Sequence, residues 1–317
     1  MTSVLLLTNK EDVTIDFVVK ELKQQGVHFY RLNTEDICKT VSFCFDFMDN
    51  RFILHDSVLK TDIDLLSFTS VYYRRPELPS YDDSGLTNGE QLFLRTEIYY
   101  LLEGLYKILG DKIWLNKVFD IRESENKLYQ LMIAKELGFL TPQSLVTNQP
   151  KEFYSFAETH ECIIKPIHNG RVLDEEKPQV VFTSKLTERS FADCEICYSA
   201  NYLQECIKKK SDVRVTIVDE EVFAVSIDSQ NNPDTIIDWR QGQHILNHTP
   251  ITLPKEVDYK CKALMKKLNL RYGAIDFIQD VYDNLIFLEI NPNGQWAWVE
   301  HLTGLPISKA IVKALCV

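Results

Sequence analysis

Along residues 273–280 and 285–291 the chain carries β-type residues with apolar and polar positions interleaved, the pattern of two half-buried strands. Val281-Tyr282-Asp283-Asn284 separates them, so the pattern predicts a hairpin, with Tyr282-Asp283 as the turn centre the residues favour. Side chains alternate across a strand, which places Ala274, Asp276 and Ile278 on one face of the first strand. On the second strand Leu285, Phe287, Glu289 and Asn291 are expected to share a face. A turn centred on Tyr282-Asp283 sets Asp276 opposite Glu289; one centred on Asp283-Asn284 sets it opposite Asn291. Either register brings two carboxylates and an amide oxygen to one surface.

The same patterning read from the start predicts an α/β opening. A short apolar strand (4–7), a helix (13–25) with Val13, Phe17, Val18 and Leu22 on one side and a stop at Gly26, and a strand (28–32) form a βαβ unit. Neither a dinucleotide-type glycine fingerprint nor a Walker loop follows the first strand. A hairpin (41–47 and 52–55), a strand (71–74) ending in Arg74-Arg75-Pro76, and a long helix (89–109) complete a first domain, 1–115. A second, 116–200, holds a helix (124–138) with Ser124 as N-cap and Lys127 in its first turn. It continues with strands at 144–147 and 162–166, a helix between them, a hairpin (172–184) and an acidic helix (187–199). The third, 201–317, holds strands at 212–218 and 222–228, a helix (255–269), the hairpin above and a terminal helix to Leu315. Arg214 alternates with Val213 and Val215, so it faces out of their apolar layer.

With 317 residues, the chain is long enough for roughly two or three domains. A net charge of -11 speaks against a general nucleic-acid or anionic-membrane binder. No apolar run approaches the roughly 20 residues of a membrane span, and no basic n-region opens the chain. Eight scattered cysteines point to a reduced, cytoplasmic setting. Cys194 and Cys197 form a lone pair without further ligands and read as helix-face residues; His244 and His248 read as loop residues.

Like charges across a sheet are destabilising unless neutralised. An all-oxygen set of Asp276, Glu289 and Asn291, with Asp276 set between Ile275 and Phe277, suits a hard cation, and Mg2+ best of all. Arg74 and Arg75 end a strand where an open α/β sheet has its ligand crevice, and two guanidinium groups there could hold a carboxylate. They read equally well as surface charges. Lys165 closes an apolar strand, where a cation could meet a phosphate, although each lysine alone reads as solvated.

In combination these segments resemble the ATP-grasp ligases. Lys127 precedes Ile164-Lys165-Pro166; the hinge-like Gln204-Glu205-Cys206-Ile207 precedes Asp212-Val213-Arg214-Val215; Asp276 and Phe287-Leu288-Glu289-Ile290-Asn291-Pro292-Asn293-Gly294 follow. The resemblance spans the chain and implies an ATP-grasp fold: a Rossmann-like pre-ATP-grasp domain, a central domain and a C-terminal antiparallel-sheet domain. Tyr72-Tyr73-Arg74-Arg75-Pro76, Asp238-Trp239-Arg240, Gly294-Gln295-Trp296 and Thr303-Gly304-Leu305-Pro306 are similar to the graspetide synthetases, the microviridin-type maturases of ribosomal peptides. That likeness implies ATP-dependent phosphorylation of Asp or Glu side chains in a leader-bearing precursor peptide. Ester formation with Thr or Ser, or amide formation with Lys, would follow, in a homodimeric enzyme.

Carried over residue by residue, the resemblance puts Mg2+ on Asp276, Glu289 and Asn291, and the α- and β-phosphates on Lys127 and Lys165. Arg214 would meet the γ-phosphoryl group, Gln204 and the backbone of Glu205, Cys206 and Ile207 the adenine, and Asp212 the ribose. Arg74, Arg75 and Arg240 would meet the peptide carboxylate. The leader is expected on the central domain, near 172–199, where Glu188, Asp193 and Glu195 could pair with a basic residue. One departure is the phosphate loop, reduced to His168-Asn169-Gly170-Arg171 where many relatives are glycine-rich. An alternative within the same fold is a ligase that joins amino acids or extends a peptide, as glutathione synthetase does. A nucleotide-binding sensor without turnover is opposed by the complete acidic set.

Overall fold

A computed structural model describes residues 2–168, 170–172, 179–186, 192–241 and 246–316. Two compact units result, Met1–Ile121 with Asn269–Tyr272 and Asn293–Val317, and Arg122–Leu268 with Gly273–Pro292. The three consecutive segments read from the sequence are thus redistributed: the tail from Asn293 returns to the first unit. Pattern alone does not reveal such a return. The helix Ile307–Leu315 turns Ile307, Ile311, Val312 and Leu315 inward and packs on the helix Val13–Gln24.

In the first unit a parallel sheet runs in the order His28–Asn33, Ser3–Thr8, Ser70–Tyr73, Ile113–Trp114. Val4, Leu5, Leu6 and Leu7 are all fully buried, as a parallel strand covered on both faces requires. Asp12 caps the following helix by accepting from the Thr14 N–H, and Gly26, at φ +65°, ends the chain's path out of it. The predicted hairpin gains a third strand, giving Val41–Asp46, Arg51–Asp56 and Thr61–Asp64 in an antiparallel sheet. Thr61–Asp64 is only four residues long and mostly polar, too weak a pattern to read. A capping box between Thr87 and Glu90 starts the long helix Asn88–Ile108. Trp296 is fully buried, packed edge-to-face on Phe17 with ring centroids 6.0 Å apart.

The second unit has two sheets. One is antiparallel in the order Ser184–Lys185, Cys162–Lys165, Asn201–Glu205, Ser144–Thr147, with Phe153, Ile196 and Leu203 as its core. The other orders His248–Ile251, Glu221–Ile227, Lys209–Val218, Tyr272–Asp280 and Leu285–Asn291. The helix expected over 124–138 is Lys127–Glu136, and a separate short helix, Val118–Ser124, precedes it. Asn126, not Ser124, is the cap, accepting from the N–H groups of Leu128 and Tyr129. Ser124 is buried and donates to the Leu268 carbonyl.

The region expected to take a leader is described in part. Arg171–Val172 pairs with Gln179–Val180, and the acidic helix is the short Asp193–Cys197. Residues 173–178 and Glu188 lie outside the described residues, as do Asn169 and His244.

Candidate nucleotide and metal site

The second unit contains an open cleft lined by Lys127, Lys165, Arg240, Asp276, Leu288 and Glu289. Its acidic floor is built by the hairpin of Tyr272–Asp280 and Leu285–Asn291. At the turn Asp280 accepts from the N–H groups of Tyr282 and Asn284, and Asp283 takes φ +68°. From there Gln279 pairs with Leu285 and Phe277 with Phe287, one residue off the register that a turn centred on Tyr282-Asp283 sets. A β-bulge then shifts the ladder, so that Asp276 pairs with Glu289 and Ala274 with Asn291.

That shift corrects one expectation. Phe287 does not share the face of Glu289. It lies against Phe277 and Phe139, with ring centroids 5.9 and 5.3 Å away, on the apolar side of the sheet. Leu288, the residue left out of the ladder, lines the cleft beside Glu289, Asp276 and Ile278. A strict two-residue period cannot report a bulge, which is why the sequence pattern merged the two faces.

Cations surround the acidic pair. Arg214 Nη1 lies 2.8 and 2.7 Å from the two carboxylate oxygens of Asp276. Lys127 Nζ lies 3.1 Å from Glu289 Oε2. Lys165 donates to Gln204 Oε1 at 2.9 Å and stands 4.8 Å from the centre of the Tyr202 ring. Gln130, which no motif marks, fixes the helix of Lys127 to the strand of Glu289. Its amide donates to the carbonyls of Ser124 and Ile290 and accepts from the Ile290 N–H.

The titration of these groups follows from burial and charge. Burial opposes ionisation of Glu289, but Lys127, Lys165 and Arg240 outweigh it and hold the carboxyl at about 2. Asp276 goes the other way: burial, and then the Glu289 charge, push it up against the pull of Arg214. Burial lowers Lys165 to about 8 despite the attraction of Glu289. Asp276 is thus left short of positive charge although Arg214 stands beside it.

A divalent cation fits that deficit. Among the described residues no group of three His, Cys, Asp or Glu side chains could hold a metal ion. The set here is two carboxylates and an amide, which suits a cation completing its shell with phosphate and water. Asn291 is placed with Nδ2 3.1 Å from Asp276 Oδ2 and 3.5 Å from Glu289 Oε1. The amide would present Oδ1 to a cation after a rotation of its end group.

Other expected positions divide. Gln204, Glu205, Cys206 and Ile207 line the cleft, but the Glu205 N–H donates to the Gln143 carbonyl and the Cys206 N–H to that of Glu161. Those two donors are committed to the sheet. Asp212 lines the cleft too, yet it accepts from Lys209 Nζ at 2.6 Å and from Ser229 Oγ at 2.5 Å. Lys209, with its side chain 5 % exposed, was concealed in the run Lys208-Lys209-Lys210, which reads as solvated charge. Arg240 lines the cleft and is gripped by Asp238.

Arg74 belongs to the first unit and is not the open carboxylate receptor expected of it. Its side chain is 0 % exposed, with Nε 3.2 Å from Asp12 and Nη1 donating to the carbonyls of Asn293 and Gly294. A fully buried guanidinium that ties strand to tail is a structural group. Arg75, beside it, is exposed and takes φ 49°, and its carbonyl accepts from Asn9.

Residues 3–122 match the family model described as the MvdD pre-ATP grasp domain. A Chryseobacterium gregarium RiPP-associated ATP-grasp ligase, solved in complex with ADP and a leader and core peptide, is 28% identical. The match covers 100% of this chain and 97% of that one at a TM-score of 0.91. This chain is an ATP-grasp ligase that resembles the graspetide synthetases. The ligase superimposes similarly on the macrocyclase MdnC of Microcystis aeruginosa bound with precursor peptide MdnA (26% identity, 99% of both chains, TM-score 0.86). MdnB, a macrocyclase of the same organism, gives 28%, 99% of both chains and 0.81. No curated protein sequence matches the ligase significantly.

Proposed function

We propose that the ligase is an ATP-dependent peptide macrocyclase. It would phosphorylate Asp or Glu side chains of a ribosomal precursor peptide and close them onto Thr or Ser as esters, or onto Lys as amides. The observation that carries this reading is the cleft itself: Asp276 faces Glu289 across a bulged hairpin, ringed by Lys127, Lys165, Arg214 and Arg240. Relatives that superimpose along the whole chain bind precursor or leader and core peptides, which supports the substrate class.

A carboxylate lacks a leaving group, and phosphorylation supplies one. Its oxygen attacks the γ-phosphorus and ADP leaves; the hydroxyl or amine then attacks the acyl carbon, loses its proton, and inorganic phosphate leaves. Each ring consumes one ATP and removes one water from the peptide. Such transfers need alignment and charge neutralisation more than covalent help. Asp276, Glu289 and Asn291 would hold Mg2+, which when bound offsets charge on the phosphate oxygens. Lys127 and Lys165 would neutralise the α- and β-phosphates, and Arg214 would stand by the γ-phosphoryl group. Ile207 N–H would read adenine, Leu288 and Ile278 would lie against apolar nucleotide surface, and Arg240 would align the peptide carboxylate.

The leader is proposed to dock near the helix Asp193–Cys197. Asp193 is exposed there, whereas Glu195 already accepts from the Ala192 N–H as a cap. A homodimer is proposed from the resemblance, and the exposed Leu92, Phe93 and Tyr100 on the long helix of the first unit support a covered face. Eight scattered cysteines support a cytoplasmic setting; among the described residues no helix is long and apolar enough to cross a membrane.

The test is incubation with ATP, Mg2+ and a precursor rich in Thr and Glu or Lys and Glu encoded beside the ligase. Mass spectrometry should show one water lost per ring with ADP and phosphate formed, and hydroxylamine should divert some product to a hydroxamate on Glu or Asp. AMP and pyrophosphate as products would overturn the acyl-phosphate mechanism.

A further inference from the structure

Arg240 is unusual among the cleft cations in how it is held. Its Nε donates to Asp238 Oδ1 at 2.7 Å and its Nη2 to Oδ2 at 2.6 Å, a two-pronged pair that fixes the plane of the guanidinium. The Arg240 N–H adds a third contact to Oδ1 at 3.2 Å. The two partners differ sharply in exposure. The Asp238 side chain is 4 % exposed and the Arg240 side chain 50 %.

Asp238 has therefore both oxygens committed and almost no surface left for a ligand. Arg240 keeps an open edge, including Nη1, on the cleft that also holds Lys165, Asp276 and Glu289. Its charge is felt by all three: it favours the ionised forms of both carboxylates and disfavours that of Lys165. The loop that carries the pair is itself fastened. Thr235 Oγ1 donates to the Ser229 carbonyl at 2.7 Å, and Ser229 Oγ to Asp212, the carboxylate that also holds Lys209.

We infer that Asp238 is a positioning residue, which orients the Arg240 fork toward the reacting carboxylate without touching substrate itself. This deepens the reading above, because it assigns Arg240 its geometry as well as its charge. A long, freely rotating arginine would sample many rotamers and give up that entropy on every encounter. Held along one edge, it offers the other in a fixed plane.

The test is a double-mutant cycle of Asp238→Asn and Arg240→Lys, with kcat, precursor KM and ADP Kd measured for each variant. Asp238→Asn keeps the shape and one acceptor oxygen but loses the two-pronged grip. It should lower kcat by about tenfold to 100-fold while ADP Kd and the melting temperature stay near wild type. In the Arg240→Lys background the same change should cost less than about twofold, since a residue acting only through Arg240 has nothing left to position. Additive losses in the double variant, or wild-type kcat for Asp238→Asn, would overturn the proposal.

A second readout separates this inference from the proposed activity. In protein labelled at arginine, the Arg240 Nε–H signal should be slow to exchange in the wild type and fast in Asp238→Asn. A protected signal in an enzyme that cyclises no precursor would refute the macrocyclase reading and leave the positioning intact. An Nε–H that exchanges equally fast in both proteins would refute the positioning, whatever the activity.

Discussion

Asp276 lies directly across the hairpin from Glu289 because Leu288 is pushed out of the ladder between them. Near the turn the strands run one residue out of the register that this pairing needs, and the bulge restores it. In a regular ladder continued from the turn, Leu288 would oppose Asp276, and Glu289 would point toward Phe139 and Phe287. The acidic pair is thus a product of local irregularity, the kind of feature that recurs beside active sites.

Glu289→Gln or Asp276→Asn is expected to lower ATP-dependent turnover by roughly 10³-fold, the equivalent of about 4 kcal/mol of barrier. Both substitutions keep volume, so circular dichroism should show an unchanged fold. A folded variant with turnover near wild type would remove the pair from the metal site.

Leu288 and Ile278 form apolar surface in the cleft beside its charged groups, and Ile163, Ile207 and Trp239 line it too. Leu288→Ala should weaken ADP binding by about threefold to tenfold, in line with losing roughly 1 kcal/mol of apolar contact. Calorimetric titration measures it. An unchanged affinity would mean that the bulged residue serves register alone.

Much of this site was legible in the sequence, and the exceptions have physical reasons. Asp276, Glu289, Lys127, Lys165, Arg214, Gln204, Asp212 and Arg240 are brought to one unit around one cleft; all but Arg214 line it, and Arg214 reaches it through Asp276. Strand alternation groups Asp276 with Glu289 and Asn291, and the resemblance to the ATP-grasp ligases adds the others. What alternation cannot register is a one-residue bulge, so Phe287 was set on the wrong face. Burial of charge is equally invisible: Arg74 and Lys209 look like surface cations until Asp12 and Asp212 are placed beside them. The return of the tail to the first unit depends on contacts across more than two hundred residues, such as Ser70 Oγ to the Leu315 carbonyl.

Lys165 makes nucleotide binding sensitive to alkaline pH. Burial, opposed by the Glu289 charge, sets it at about 8, below the usual lysine value. The ammonium is therefore charged below about pH 8 and neutral above it. A bound phosphate favours the charged form, so between about pH 8 and 10 binding should take up a proton. Calorimetry near pH 9 in two buffers of different ionisation enthalpy reads that uptake, and ADP affinity should fall as pH rises through about 8. Lys165→Arg, charged throughout, should bind without proton uptake in that range. Wild-type binding with no proton uptake would show that Lys165 does not meet the phosphates.

Asp212 supplies the sharpest contrast between the two roles open to it. As a ribose ligand it would matter to nucleotide affinity and little to the fold. As found, it is buried, with Lys209 and Ser229 both donating to Oδ2, and burial pushes its carboxyl up against the pull of Lys209. Removing one partner of a buried ion pair leaves the other charge uncompensated, typically at a cost of about 3–5 kcal/mol. Asp212→Ala should therefore lower the melting temperature by many degrees. Asp212→Ala combined with Lys209→Met, which removes both charges, should recover most of that loss. Urea or thermal unfolding of the single and double variants measures the coupling, and ADP titration of the same proteins measures the ligand. A single variant as stable as wild type but with ADP affinity reduced tenfold or more would return Asp212 to the ribose.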